Sequence, residues 1–376
     1  MQLLEKFIQI ADAPYAYAKK LTGDSRGPLI GYFCSYAPEE IICAAGAVPF
    51  RLFGTRGDIS LADAHLQSYC CSLVRGGLED ALNGSLSFLD GTVFPHTCDS
   101  IQRLSDIWRL NAGFSFHADI VLPVKLDAPS ARAYMEAVLR DFRDELATAL
   151  NSPITDEDLA GAVAVVNQIR KHLGDLYAAR SRKPGLISAG DLYKVTKAAM
   201  VMDRKEAAAA LGFLAGELLS NESVKQKPTA GNGKRVILSG GICNHPDIYS
   251  LMEAAGADVV WDDLCTGTRY AEGLVRETGD PIAAIAERYA ERMVCPAKHS
   301  DNTARGRNLV ELVRAHSAAG VIFLFLKFCD PHAFDYPYLK HFLDEAGIPS
   351  MVLEMEERLP PEGQMKTRIE SFVEMI

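Results

Sequence analysis

Residues 318–340 read AAGVIFLFLKFCDPHAFDYPYLK, and the fold follows from how this stretch is parsed. As far as Leu326 it is a run of large apolar residues without polar alternation, the pattern of a strand covered on both faces in a parallel sheet. The run ends at Lys327, and Cys329 follows with Asp330, Pro331 and His332 directly behind it. Cys329 therefore stands where a buried strand gives way to a loop. Open α/β sheets collect their ligands beyond the carboxyl ends of strands, so the sulfur is placed to bind something; an ordinary core thiol is the alternative.

Toward the N-terminus, KRVILSGGICNHPDIYSLMEAAGADVVWDD (234–263) gives strand, glycine loop, helix and strand, and AGIPSMVLEMEE (346–357) adds a fourth strand. Strands alternating with helices imply a parallel sheet covered on both faces. GPLIGYFC (27–34), VPFRLFG (48–54), GSLSFLDGTVFPHTC (84–98) and HADIVLPVKL (117–126) follow the same plan, although no clean internal repeat is visible. PEEIICAAGA (38–47) reads as the helix after the first of these strands, with Pro38, Glu39 and Glu40 suiting a first turn and the positive end of its dipole. Between the two units, 131–150, 157–180 and 205–219 have the length and periodicity of helices, and NESVKQKPTAGNGKR (221–235) reads as a boundary loop. The expected fold is α/β: doubly wound parallel-sheet domains at 1–130 and 231–376, joined by a largely helical region at 131–230.

The 376 residues are 48% hydrophobic, enough for a substantial core, and the net charge of -10 argues against a nucleic-acid partner. Charges interrupt the N-terminus, so it lacks a signal-peptide core, and no apolar run nears the roughly 20 residues of a membrane span. A cytoplasmic location is expected. The nine cysteines are odd in number and spread along the chain, unlike a secreted disulfide scaffold. Cys98 and Cys329 have related settings, each following an apolar run and each followed by an aspartate. In QSYCCSLVRGG (67–77), Cys71 suits a helix beginning, where amide donors stabilise a thiolate. If Cys71, Cys98 and Cys329 converge, soft thiolates suit an iron–sulfur cluster better than magnesium or calcium.

GYFCSYAPEEIICAAGAVPFRLFG (31–54), YCCSLVRG (69–76), HTCDS (96–100), VVWDDLCTGTR (259–269), LKFCDPHAFDYPYLK (326–340) and the final TRIESFVEMI carry a resemblance. Together they look like the iron–sulfur subunits of the 2-hydroxyacyl-CoA dehydratase and class I benzoyl-CoA reductase family and, more distantly, the double-cubane cluster proteins. The resemblance implies two Rossmann-like domains with a [4Fe-4S] cluster between them, held by Cys71, Cys98 and Cys329. Cys34 and Cys295 sit in further family-like motifs, as additional metal ligands or as part of the active-site wall. The family also implies a CoA thioester substrate, a related cluster-bearing subunit in a heterodimer, or else a homodimer, and a separate ATP-hydrolysing iron–sulfur activator. This chain has no GxxxxGK[ST] loop of its own. One branch reduces the ring of benzoyl-CoA; another, a lyase, dehydrates a 2-hydroxyacyl-CoA through a ketyl radical. CPAKHSDNTARGR (295–307) and the segment after Cys329 are more similar to the smaller benzoyl-CoA reductase subunit, so ring reduction is expected. A dehydratase subunit or a noncatalytic electron-transfer or double-cubane protein is the alternative.

His96, His299 and His332 are the candidates for proton delivery, and Lys298, His299, Arg305 and Arg307 are candidates to face CoA phosphates. Asp99 and Asp330 are expected to cap the turns or helices they begin. Asp262 and Asp263 are expected to be solvated at a strand end beside a packed Trp261. The glycines of LSGGICNHP (238–246) could admit a pyrophosphate at a helix start, without a full dinucleotide fingerprint.

Overall fold

The computed structural model describes residues 2–23, 27–220, 233–245, 247–293, 295–301, 303–356 and 359–376. Most of the expected boundary loop at 221–235 lies outside the described residues. Eight strands form two four-stranded sheets: β1 Leu29–Tyr32, β2 Val48–Arg51, β3 Gly91–Pro95 and β4 Phe116–Ile120, then β5 Lys234–Gly240, β6 Ala257–Asp263, β7 Gly320–Leu326 and β8 Ser350–Met355. The orders are β2-β1-β3-β4 and β6-β5-β7-β8, and every pairing is parallel. The two sheets thus repeat one topology that their sequences conceal. In each, the strand order reverses beside the first strand, and ligands of such sheets collect beyond the carboxyl ends at that point.

β7 is buried along its whole length, as its unbroken apolar run requires. Its close packing on β5 explains Gly240, which has φ +158°; a Cβ there would lie 2.0 Å from the Leu324 carbonyl oxygen. That glycine is set by sheet packing. Helices Ala131–Ala149, Asp156–Arg182, Ala189–Ala199 and Arg204–Ser220 fill the middle of the chain. They are more than a connector: Leu173, Leu192 and Leu211 share one continuous core with Leu29 and Phe50 of the first sheet and Leu238 and Leu324 of the second.

One expectation about charged residues is extended and one changes. Glu39 and Glu40 do open helix Glu39–Ala44, but they are buried and paired, Glu39 with Arg204 and Glu40 with Arg170. Both arginines lie in the helical layer, so the carboxylates pin the first sheet to it. Asp262 and Asp263 are buried as well. Asp263 takes Arg269 at 3.0 Å and Arg305 at 3.3 Å, while Asp262 accepts from the Thr268 amide at 2.8 Å. Among the described residues no helix is long and apolar enough to cross a membrane.

Candidate functional site

Among the described residues three helices open on a cysteine. Cys71 is the N-cap of Ser72–Leu82, Cys98 of Asp99–Asn111 and Cys329 of Asp330–Glu345. Asp99 and Asp330 are therefore first-turn residues and not the caps. Cys98 follows β3 and Cys329 follows β7, the equivalent third strands of the two sheets. Before Cys329 the chain turns sharply: Phe328 has φ +64°, an uncommon conformation for a residue with a side chain, and the Cys329 amide folds back onto Leu326 O at 3.0 Å.

The three sulfurs share one electrostatic neighbourhood. Burial pushes the Cys71 thiol up to about 11. Burial and then Cys71, Cys34 and Cys295 push Cys98 up to about 12, against the opposing Ile101 amide. Cys329 is held well above its ordinary range by burial, then by Cys71, with Cys98 and Cys295 adding to it. The amides of Leu73 and Val74 face the Cys71 sulfur, that of Ile101 faces Cys98 and that of His332 faces Cys329. None closes a capping hydrogen bond. Cys70, also buried, lies within reach of Asp330 and Asp99.

A second group of thiols adjoins the first. Cys34 follows β1 with φ +62°, and Cys265 follows β6 with its amide on Gly241 O at 2.9 Å. With Cys295 they line a small cavity walled by Tyr36, Arg269 and Arg292. Burial and then Cys265 and Cys34 push Cys295 up to about 12. Because Cys98 feels Cys34 and Cys295, and Cys329 feels Cys295, the groups are continuous. Cys265 went unmarked as a ligand candidate in the sequence; its signal is a position just past the VVWDD strand, like that of Cys329 past β7.

Beside Cys98 opens a cavity of about 610 Å³, whose wall includes Asp99, Lys298, His299, Asp330, Phe334 and Tyr338. The basic residues expected to meet phosphate are engaged elsewhere. Lys298 is buried with Nζ on Leu122 O at 2.9 Å, Arg305 holds Asp335 at 2.7 Å as well as Asp263, and Arg307 pairs with Asp301. The histidines separate. His299 lines the cavity. His96 sits at the end of β3 with Nε2 2.7 Å from Asp119. Burial raises the Asp119 pKa, but hydrogen bonds from His117, Ser105 and His96 outweigh it and hold the carboxyl well below the usual range. His332 is buried behind the Cys329 loop, 5.8 Å from the Phe325 ring; burial, then the facing Arg269 and Arg305, holds its imidazole pKa well below the ordinary value.

Among the described residues no three His, Cys, Asp or Glu side chains could hold a single metal ion. The donor set fits a larger thiophilic group: several unpaired thiols, buried or partly buried, from both sheets, each helix-capping sulfur faced by backbone amides. Cys71, Cys98 and Cys329 could hold an iron–sulfur cluster by this chemistry, with Cys34, Cys265 and Cys295 beside it.

Known proteins bear on this arrangement. The chain is 29% identical over 370 residues to the (R)-phenyllactyl-CoA dehydratase beta subunit of Clostridium sporogenes, covering 98% of this chain and 97% of that one. It is 30% identical over 350 residues to one of the subunits of benzoyl-CoA reductase from Thauera aromatica, covering 91% and 88%. It is 25% identical over 381 residues to the beta subunit of (R)-2-hydroxyglutaryl-CoA dehydratase from Acidaminococcus fermentans, covering 100% and 99%. The family model for the 2-hydroxyglutaryl-CoA dehydratase D-component matches residues 34–376, nearly the whole chain and every cysteine discussed above. Two parallel sheets of one topology and this match over residues 34–376 make the chain a member of the 2-hydroxyglutaryl-CoA dehydratase D-component family, whose relatives include the beta subunits of 2-hydroxyacyl-CoA dehydratases and a benzoyl-CoA reductase subunit.

Proposed function

We propose that this chain is the smaller, cluster-bearing subunit of an enzyme acting on an aromatic acyl-CoA thioester, and that it delivers low-potential electrons for ring reduction. What supports the reading is that Cys71, Cys98 and Cys329, each the N-cap of a helix, feel one another's charge. A [4Fe-4S] cluster held there supplies one-electron transfer at low potential. The protein's own part is to fix the sulfurs on rigid helix starts, aim amides at them and exclude water by burial. His299 is the histidine on the cavity wall, and we assign it proton delivery to a ligand in that cavity. Phe334 and Tyr338 give the cavity an aromatic lining, and two relatives are named for phenyllactyl-CoA and benzoyl-CoA. A companion cluster-bearing subunit and a separate ATP-hydrolysing iron–sulfur activator complete the assembly.

The test is turnover by the anaerobically assembled enzyme with activator and ATP, offered benzoyl-CoA and, separately, phenyllactyl-CoA. A cyclic diene product supports ring reduction. Dehydration of phenyllactyl-CoA alone makes the chain part of a dehydratase, and no turnover of either thioester overturns both enzymatic readings.

One observation favours a second reading, a double-cubane electron-transfer protein: Cys34, Cys265 and Cys295 adjoin the first three thiols. About four iron atoms and four sulfides per chain fit a single cubane, whereas about eight and nine without thioester turnover fit the second reading.

A further inference from the structure

Arg292 is a buried cation that makes no ion-pair contact with a carboxylate among the described residues, although Glu272 lies in its field. Its guanidinium carbon lies 4.3 Å from the centroid of the Tyr36 ring and 5.1 Å from that of Tyr289, Nη2 donates to Ser35 O at 2.8 Å, and Nε has no acceptor. Lys298 is its counterpart. It is 3% exposed, its Nζ lies 5.9 Å from the same Tyr36 ring, and its acceptor is the Leu122 carbonyl. Arg269, on the same cavity wall, already has Asp263. Glu272 acts on Arg292 less strongly than Cys34 does, and it accepts a hydrogen bond from the Met293 amide at 3.1 Å.

An unpaired charge out of water is strongly unfavourable, and two in one place would repel each other as well. Carbonyls and ring faces recover only part of that cost. Arg292 faces the Tyr36 and Tyr289 hydroxyls first and then Cys34, with which it shares a cavity wall, and Lys298 faces Cys34 and Cys295, so the group common to both cations is the Cys34 thiol. As thiols, Cys34 and Cys295 carry no balancing charge. As metal-bound thiolates they do, together with the sulfides of an anionic core.

We propose that Arg292 and Lys298, both set against Tyr36, are positioning cations that supply the counter-charge to an anionic iron–sulfur centre beside Cys34 and Cys295 and raise its reduction potential. The inference rests on the reading that these thiols surround such a centre; it does not depend on which thioester, if any, the enzyme converts. A fixed positive charge stabilises the form carrying the extra electron, so removing it makes reduction harder.

The experiment compares anaerobically reconstituted native protein with R292M, R292K and K298M, measuring iron and sulfide per chain and the reduced fraction by EPR during a redox titration. We expect R292M and K298M to keep the native iron content while their reduced fraction at the native midpoint falls on the order of tenfold. R292K should stay near native, a rescue that a purely steric role for the side chain would not produce. Native potentials in both R292M and K298M, with iron intact, overturn the role of the cations and leave the cluster reading standing. Loss of iron from R292M and K298M alike, with R292K native, supports the counter-charge through binding. A native chain that takes up no iron overturns the cluster reading and this inference together.

Discussion

Two sets of helices in this molecule begin differently. Helices Asp156–Arg182, Ala189–Ala199 and Pro281–Glu291 start at Thr155, Ser188 and Asp280, and each side chain accepts from the backbone: Asp158 N at 3.1 Å, Asp191 N at 3.0 Å, and Ile282 N at 2.9 Å. Ser72–Leu82, Asp99–Asn111 and Asp330–Glu345 start at cysteines that make no cap bond. Oxygen caps contribute about 1 kcal/mol each. The scaffold helices thus begin where stability is served, and the helices at the crevice begin with a sulfur that caps poorly and faces its fellows. The contrast sets these three cysteine-started helices apart from the three oxygen-capped ones without reference to any bound group.

The largest expected effect breaks one side of that contrast. Cys71→Ser, Cys98→Ser or Cys329→Ser should lose most of the iron that the native chain takes up on anaerobic reconstitution, while Thr155→Ala keeps it. Iron and sulfide analysis of the four variants decides; native iron content in the serine variants would end the assignment of these sulfurs as ligands.

The next effect is on stability and involves a carboxylate on a cysteine-capped helix. Asp80 accepts the Tyr15 hydroxyl at 2.6 Å, and burial raises its pKa to about 6 from 3.8. Between those values the folded chain holds a proton that the unfolded chain releases, so stability falls as pH rises through that window and stays lower above it. Asp262 is raised to about 6 as well, again mainly by burial, and acts in the same direction. Asp80→Asn should remove its share of the decline and gain up to roughly 3 kcal/mol at pH 7. Urea unfolding at pH 4, 5, 6 and 7 measures this, and an unchanged slope for the variant would count against a raised Asp80.

Much of this was legible in the residues. The unbroken run before Cys329 marked a doubly covered strand, and all eight strands appear where apolar runs placed them. The related settings of Cys98 and Cys329 became equivalent positions in two sheets of one topology. What sequence could not supply was pairing at long range. Arg170 lies 130 residues from Glu40 and Arg204 165 from Glu39, so nothing local distinguished these glutamates from solvated first-turn residues. Lys298 and Arg305 looked like free cations for the same reason: their partners come from Leu122, Asp263 and Asp335. Cys265 was hidden because its companions, Cys34 and Cys295, come from distant loops.

A smaller effect tests the oxygen caps. Thr155→Ala removes the hydroxyl's part in a capping box, the bond it accepts from the Asp158 amide and the one it donates to the Asp158 carboxylate, while the Thr155 amide keeps its own bond to that carboxylate. The loss should be about 1 kcal/mol, read as a lower melting temperature with iron uptake unchanged.

The smallest effect sharpens the contrast most, because stability and function should move in opposite directions in one variant. Cys98 has φ -142° and ψ 165°, the extended geometry of a good N-cap, and the Ile101 amide already faces its side chain. A serine oxygen is a stronger acceptor than a thiol sulfur and is among the preferred caps. In metal-free protein, Cys98→Ser should therefore raise stability by a few tenths of a kcal/mol, up to about 1 kcal/mol. Cys329, at ψ 88°, departs from that geometry, and its serine variant should gain less. If thermal unfolding instead finds metal-free Cys98→Ser less stable than native, the thiol has a packing role that serine cannot fill. The weak cap would then reflect core packing, and the link between poor capping and ligand function would fail at this position.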